Sequence, residues 1–266
     1  MDCQYTLSNK KNGNDPFYIE EKRDELARLK SYNELAKTYS SGFAEIEDKN
    51  TGEFWDSLND KSILSGHQNS IAKHRIEIVS RLIPNWAKVL DIGFGSATLE
   101  KRLKESRKKL NLSGLDISDL SVKRARKMFS DWTFKKGSIL NIPFNRNSFE
   151  YVLALEVLEH IKPSCLFRAL NEIKRVLVKN GFLIVSVPLN EGLKQLIKEG
   201  ENPSAHLREY TPDIIKAELE LAGFLLVKEK YLFAFRKNYF IKSFIVNFIF
   251  TGIRKPNNLI ILAQKK

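Results

Sequence analysis

Residues 88–95, KVLDIGFG, constrain the fold more than any other stretch. A short apolar run stopped by two glycines reads as a buried β-strand entering a tight turn. The chain then alternates. A basic helix is expected over 98–110, a strand over 112–118, a helix over 119–130 and a third strand over 132–139. FEYVLALEV (149–157) is a fourth strand feeding a helix start at EVLEHI. PSCLFRALNEIKRVL (163–177) is an amphipathic helix with Pro163 in its first turn. GFLIVSVP (181–188) is a fifth, wholly apolar strand. TPDIIKAELELAG (211–223) carries a Thr cap, Pro at the first helical position and a terminating Gly. Strands near 224–233 and 258–264 bring the number to seven. Strands alternating with helices predict an α/β fold, a doubly wound and mostly parallel sheet with helices on both faces. Ligands of such sheets sit beyond the carboxyl ends of the strands, at the switch point. That directs attention to 91–97, 116–118, 138–140 and 155–160.

Ahead of this region, residues 1–16 read as a disordered lead-in. A helical pattern over 17–39 and a helix over 67–83 flank a polar, Gly-containing stretch, 40–66, around Phe54, Trp55 and Leu58. The expected organisation is therefore a lead-in (1–16), a helical N-terminal lid with the first packing helix (17–83), and a main domain (84–266) holding an aromatic insert at 234–257. Two cysteines, Cys3 and Cys165, exclude a disulfide scaffold and a four-cysteine zinc site. No apolar run reaches the roughly 18–20 residues of a membrane span. The polar start lacks a signal core, so a cytoplasmic protein is expected.

The glycine turn carries the first chemistry. Gly93 and Gly95 permit positive φ and close backbone approach to a ligand. A nicotinamide fingerprint would want a third Gly at position 98, which is Thr98. Asp91, two residues before the first glycine, would lie beside the ligand and suits a cation or a hydroxyl. Asp116 ends the second strand, 21 residues after Gly95. A carboxylate there can accept both hydrogen bonds of a ribose diol and repels a 2′-phosphate.

VLDIGFGSATL, GLDIS, GSILNIPFNRNSFEYVLALEVLEHI and LNEIKRVLVKNGFLIVSVP, in this order and spacing, resemble class I S-adenosylmethionine-dependent methyltransferases, most closely the small-molecule, quinone-pathway-like subgroup. The resemblance covers about residues 70–233 and implies a Rossmann-like fold. It implies S-adenosylmethionine as cofactor and in-line methyl transfer to a small-molecule acceptor. It places Asp91, Gly93 and Gly95 at the methionine and sulfonium end. Asp116 falls on the ribose hydroxyls, Ile117 on the adenine, Ser138 and Ile139 on the adenine edge, and Leu155 and Glu156 by the methionine part. Phe94 stands where the family has a cysteine, Ala97 where it has the last glycine, and Ser138 where it has an Asp. A hydroxyl accepts less strongly than a carboxylate.

Glu156, Glu159 and His160 fall at i, i+3 and i+4, one face of a helix if it begins near Glu156. His206 follows in HLREYT. Together they form a candidate divalent-metal set suited to Mg²⁺ or Mn²⁺. The arrangement resembles the metal site of small-RNA 3′-terminal 2′-O-methyltransferases and that proposed for ubiquinone-pathway O-methyltransferases. His160 and His206 are alternatively catalytic bases or substrate hydrogen-bond partners, and purely structural roles compete with both.

The net charge of +12 is uneven. Residues 1–60 carry 8 basic and 13 acidic side chains; the remainder holds 36 against 19, a net +17. Lys and Arg at 102–109 and 123–127 fall on outer helices with few aromatics, and they read as a solvated face, not a nucleic-acid surface. Residues 231–253 hold eight aromatics. They offer a peripheral membrane or lipid contact, a packed insert, or a homodimer contact. The functional expectation is a small-molecule methyltransferase. The alternatives are an RNA-ribose 2′-O-methyltransferase with a divalent metal and a non-catalytic cofactor-binding homologue.

Overall fold

The computed structural model describes residues 46–65, 70–235, 242 and 255–266. The lead-in (1–16), the helix expected over 17–39 and most of the aromatic segment lie outside them. The described elements are α1 (Gly52–Ser65), α2 (Ser70–Leu82), β1 (Lys88–Ile92), α3 (Thr98–Glu105), β2 (Asn111–Asp116), α4 (Asp119–Met128), β3 (Thr133–Lys136), β4 (Phe149–Leu155), α5 (Leu166–Val176), β5 (Leu177–Pro188), α6 (Leu193–Lys198), α7 (Pro212–Leu221), β6 (Phe224–Leu232) and β7 (Asn258–Lys265).

The seven strands form one sheet in the order β3-β2-β1-β4-β5-β7-β6. The first five are parallel; β7 runs antiparallel to β5 and β6. β1 sits between β2 and β4, with Asp91 opposite Gly114 on one side and Leu153 on the other. Successive chain crossings leave β1 in opposite directions, so the crevice beyond β1 and β4 is the switch point.

Both faces are buried, as a parallel sheet requires. Alternate residues feed two cores. Leu90, Val152 and Val185 join α5 and α7 on one face. Val89, Leu153 and Ile184 join α2, α3 and α4 on the other. Gly114 lets β2 pass under an aromatic layer, since a Cβ there would stand 2.5 Å from the Phe134 ring. The Thr211 hydroxyl accepts from the Ile214 amide, Pro212 opens α7, and Gly223 closes it at φ 82.

Three local readings are corrected. The polar stretch 40–66 contains helix α1. Few apolar residues signal it, because polar bonds secure it. Thr51 caps it through the Phe54 amide. Asp56 accepts from the Leu120 amide and the Ser118 hydroxyl, and Asn59 donates to the Ser121 hydroxyl, so α1 is fastened to the amino end of α4. The third strand stops at Lys136, which leaves Ser138 and Ile139 in the loop beyond it. No α-helix starts at Glu156; the chain makes a single 3₁₀ turn over Leu158–His160. Helix α6 was not anticipated. No helix among the described residues is long and apolar enough to cross a membrane.

Candidate active site

The turn after β1 has the geometry its glycines permit. Gly93 and Gly95 take φ of 71° and 53°. The Gly93 amide donates to the Leu115 carbonyl at 2.7 Å, which pulls the turn onto β2. A Cβ on Gly93 would stand 2.7 Å from the Val157 side chain, so only glycine fits. Ala97 holds φ 56° at the head of α3. The turn therefore keeps its left-handed shape without the family's glycine, at a backbone cost of about 1 kcal/mol. Phe94 is buried edge-on to Phe134 at 5.1 Å. It fills space between the turn and the sheet.

A cavity of about 550 Å³ opens over this turn at the carboxyl edge of the sheet. Its wall includes Asp91, Gly93, Gly95, Asp116, Ile117, Ser138, Ile139, Leu155 and Glu156. Asp116 is buried; its Oδ2 accepts from the Gly95 amide at 2.8 Å and its Oδ1 from the Ser118 amide at 2.9 Å. Each oxygen keeps a second lone pair, so a diol has acceptors. Burial raises the Asp116 carboxyl above its ordinary value and those amides pull it back. The Ser138 hydroxyl accepts from the Leu140 amide at 3.2 Å.

Glu156 is committed elsewhere. It sits at φ 56°, and its carboxylate accepts from Ser186 at 2.8 Å and Asn258 at 2.9 Å, and pairs with Arg75 at 3.0 Å. The expected face shared by Glu156, Glu159 and His160 does not form, because the left-handed residue turns the chain before the 3₁₀ turn. Ligand atoms of Glu159, His160 and His206 do come within 4.8 Å of one another, and Glu156 is outside that set. Glu159 is fully buried, with no hydrogen-bond donor on either oxygen among the described residues. Burial, then the Glu156 charge, push its carboxyl well up.

His160 lines the cavity, edge-on to Trp55 and His206 at 4.8 Å each. Burial, and then His206, hold it down to about 3, so its imidazole is neutral. His206 lies behind it with Nδ1 2.8 Å from Glu191. Several lining residues were missed by the sequence reading. Arg75 comes from α2, Lys162 from the loop after β4, and Asn59 from α1. Arg75 lies in IAKHRIEIV, where its spacing matches any solvated helix face, so the sequence held no signal for it.

A crevice at the switch point of a doubly wound sheet, walled by a glycine turn and strand-ending carboxylates, defines a nucleotide-type cofactor site. The comparisons specify the family. A methyltransferase domain model matches residues 89–181. Demethylmenaquinone methyltransferase of Thermotoga maritima is 30% identical over 161 residues, 60% of this chain and 67% of that protein. Sterol 24-C-methyltransferase erg6 of Schizosaccharomyces pombe is 29% identical over 178 residues, 60% of this chain and 46% of the relative, so the match spans under half its length. A SAM-dependent methyltransferase from Archaeoglobus fulgidus superposes with a TM-score of 0.57 at 19% identity, covering 74% of this chain and 95% of that one. Another from Methanosarcina mazei gives 0.53 at 16%, covering 71% and 96%. The chain belongs to the class I S-adenosylmethionine-dependent methyltransferases.

Proposed function

We propose that the protein transfers a methyl group from S-adenosylmethionine to a small, largely apolar acceptor carrying a nucleophilic oxygen, nitrogen or carbon. The observation that supports this best is the cavity itself, because its wall combines two kinds of surface. Asp91, Asp116 and the glycine turn line it. Trp55, Ile76, Leu140, Ile161 and His160 line it as well.

Asp116 would hold the ribose hydroxyls, Ile117 and Ile139 the adenine faces, Ser138 its edge, and Arg75 the cofactor carboxylate. Gly93 and Gly95 admit the backbone of the turn to close range. The bound cofactor supplies an electrophilic methyl, so the protein's work is alignment and exclusion of water. His160, held neutral, accepts a hydrogen bond from the acceptor and orients it. An imidazole this weakly basic is poorly matched to proton abstraction near neutral pH. Acceptors that are already acidic, or whose nucleophile is carbon, suit it best. The T. maritima relative, named for demethylmenaquinone, supports a quinone-like acceptor.

The test has two stages. Calorimetry with S-adenosylmethionine should show saturable binding, and absence of heat at near-millimolar cofactor would favour a non-catalytic homologue. Incubating cell extract with labelled cofactor and the protein, followed by mass spectrometry, then identifies what gains a methyl group.

A second reading adds a divalent ion beside the acceptor. It rests on Glu159, whose buried oxygens lack donors, and on the two imidazoles within 4.8 Å of it. Glu191 on the His206 Nδ1 resembles the carboxylate–imidazole support common around metal-ligating His. With two nitrogens and one carboxylate, the set suits Mn²⁺ better than Mg²⁺.

A further inference from the structure

Glu100 is a buried acid that the alignment of cofactor and acceptor does not use. It lies in the first turn of α3, three residues after Ala97, and none of its surface reaches solvent. Neither carboxylate oxygen has a donor among the described residues. Its carboxyl faces that of Asp91, itself only 3% exposed and part of the cavity wall. Two acceptors that face each other can be joined only by a proton. The other charged group acting on both is Asp116, and no salt bridge among the described residues reaches Glu100 or Asp91. The amino end of α3 offers the pair a partial positive charge, which is less than one counter-ion. Burial pushes Glu100 up to about 7, against the hydrogen bond with Asp91 and its own amide, which pull it back, and with Asp116 adding to the rise; burial and then Glu100 push Asp91 well above the carboxylate range. Buried, facing each other and without a counter-ion, the two carboxyls are placed to share a proton.

The methyl donor differs from its product in one respect that this pair can sense. The donor carries a sulfonium. When the methyl–sulfur bond breaks, its electron pair stays on sulfur and leaves a neutral thioether, while the acceptor gains the methyl and gives its proton to solvent. A cation over Asp91 favours the ionised pair; a neutral thioether does not. Resting on the cofactor reading above, we propose that Glu100 is a specificity-determining residue: it shares a proton with Asp91 that passes to solvent when the sulfonium donor binds and returns once the charge is gone, so that the site holds donor over spent product.

The test is calorimetry of the wild-type chain with S-adenosylmethionine and with S-adenosylhomocysteine near pH 7, in two buffers of different ionisation enthalpy. The donor should release a large fraction of one proton and the product close to none. In Glu100→Gln, the donor-to-product affinity ratio should fall by about tenfold, the equivalent of one pK unit, with product affinity nearly unchanged. Equal proton release by the two ligands, or equal weakening of both in the variant, overturns the proposal while leaving the cofactor reading intact. If neither ligand gives heat, the cofactor reading fails and this inference falls with it. The wild-type measurement decides the matter even if the variant does not fold.

Discussion

Arg75 Nη1 stands 3.0 Å from Glu156 Oε2, tying α2 to the end of β4 at the wall of the cavity. Ser186 and Asn258 donate to the same carboxylate, so β5 and β7 are drawn into the same knot. The knot gives Glu156 enough partners to hold a left-handed conformation that a non-glycine residue rarely adopts. It also fixes a guanidinium at the cavity wall. Lys162, the other long cation lining the cavity, leans toward Asp48 at 3.4 Å. Arg75→Met should weaken S-adenosylmethionine binding by about 1.5–3 kcal/mol, the loss of a charge-assisted hydrogen bond. Calorimetry checks this, and an unchanged affinity would reduce Arg75 to a structural latch.

The two glycines of the turn should respond differently to the same substitution. Alanine at Gly93 meets both a positive φ and a 2.7 Å approach to Val157. Alanine at Gly95 meets the φ alone, with Asn59 at an ordinary 3.6 Å. Gly93→Ala should cost roughly 2–4 kcal/mol of stability and Gly95→Ala about 1 kcal/mol. Ala97 already bears this strain, so Ala97→Gly should gain about 0.5 kcal/mol. Urea denaturation of the three variants tests the ranking. A Gly95→Ala loss as large as that of Gly93→Ala would mean that contact with Val157 does not matter.

Burial against the Asp91 carboxyl makes Glu100 a pH-dependent term in folding. Its carboxyl, raised to about 7 by burial, holds its proton in the folded state well after the unfolded chain has lost it. The folded state thus binds more protons between the unfolded value of 4.5 and about 7. Its contribution is fully present below the lower value and is lost as pH rises through the upper one. Relative to Glu100→Gln, the wild-type chain without ligand should lose about 2–3 kcal/mol of stability between pH 5 and pH 8. Because the proton belongs to the Asp91–Glu100 pair, the loss spreads over that window without a sharp step. Parallel pH profiles for the two proteins would show that the pair carries no such strain.

The strands were legible in the sequence because both their faces are apolar and glycine or proline bounds them, as in KVLDIGFG and GFLIVSVP. The glycine-turn wall of the cavity was legible for the same reason: strand ends and glycine turns fix where Asp91 and Asp116 must lie. The wall around Glu156 was not. Nothing in EVLEHI announces a left-handed Glu156, since the partners that impose it lie on α2, β5 and β7. Helix α1 hid because hydrogen bonds to α4, not an apolar stripe, hold it in place. Glu100 hid in TLEKRLKE, where an acidic residue among basic ones reads as solvated. Its burial follows from the face of α3 that Leu99 and Leu103 also present to the core. For Glu156 and α1 the deciding contacts are remote in sequence.

The Glu159, His160 and His206 group makes a prediction independent of the cofactor. Glu159 has no described donor and no exposure, and a bare carboxylate in that position is costly unless it is protonated or ligates a cation. His206 is already oriented by Glu191, which leaves its Nε2 for a ligand. If a divalent ion completes the group, equilibrium dialysis should find one Mn²⁺ bound per chain, and chelation should lower turnover with Mn²⁺ restoring it. His206→Ala should abolish that binding while leaving S-adenosylmethionine affinity within about twofold, since His206 is not part of the cavity wall. If the carboxyl is simply protonated, dialysis will find no stoichiometric ion and turnover will be unaltered in chelator. Glu159→Gln would then keep full activity, because a neutral amide replaces a neutral acid, whereas loss of a ligand would reduce turnover by 10-fold or more.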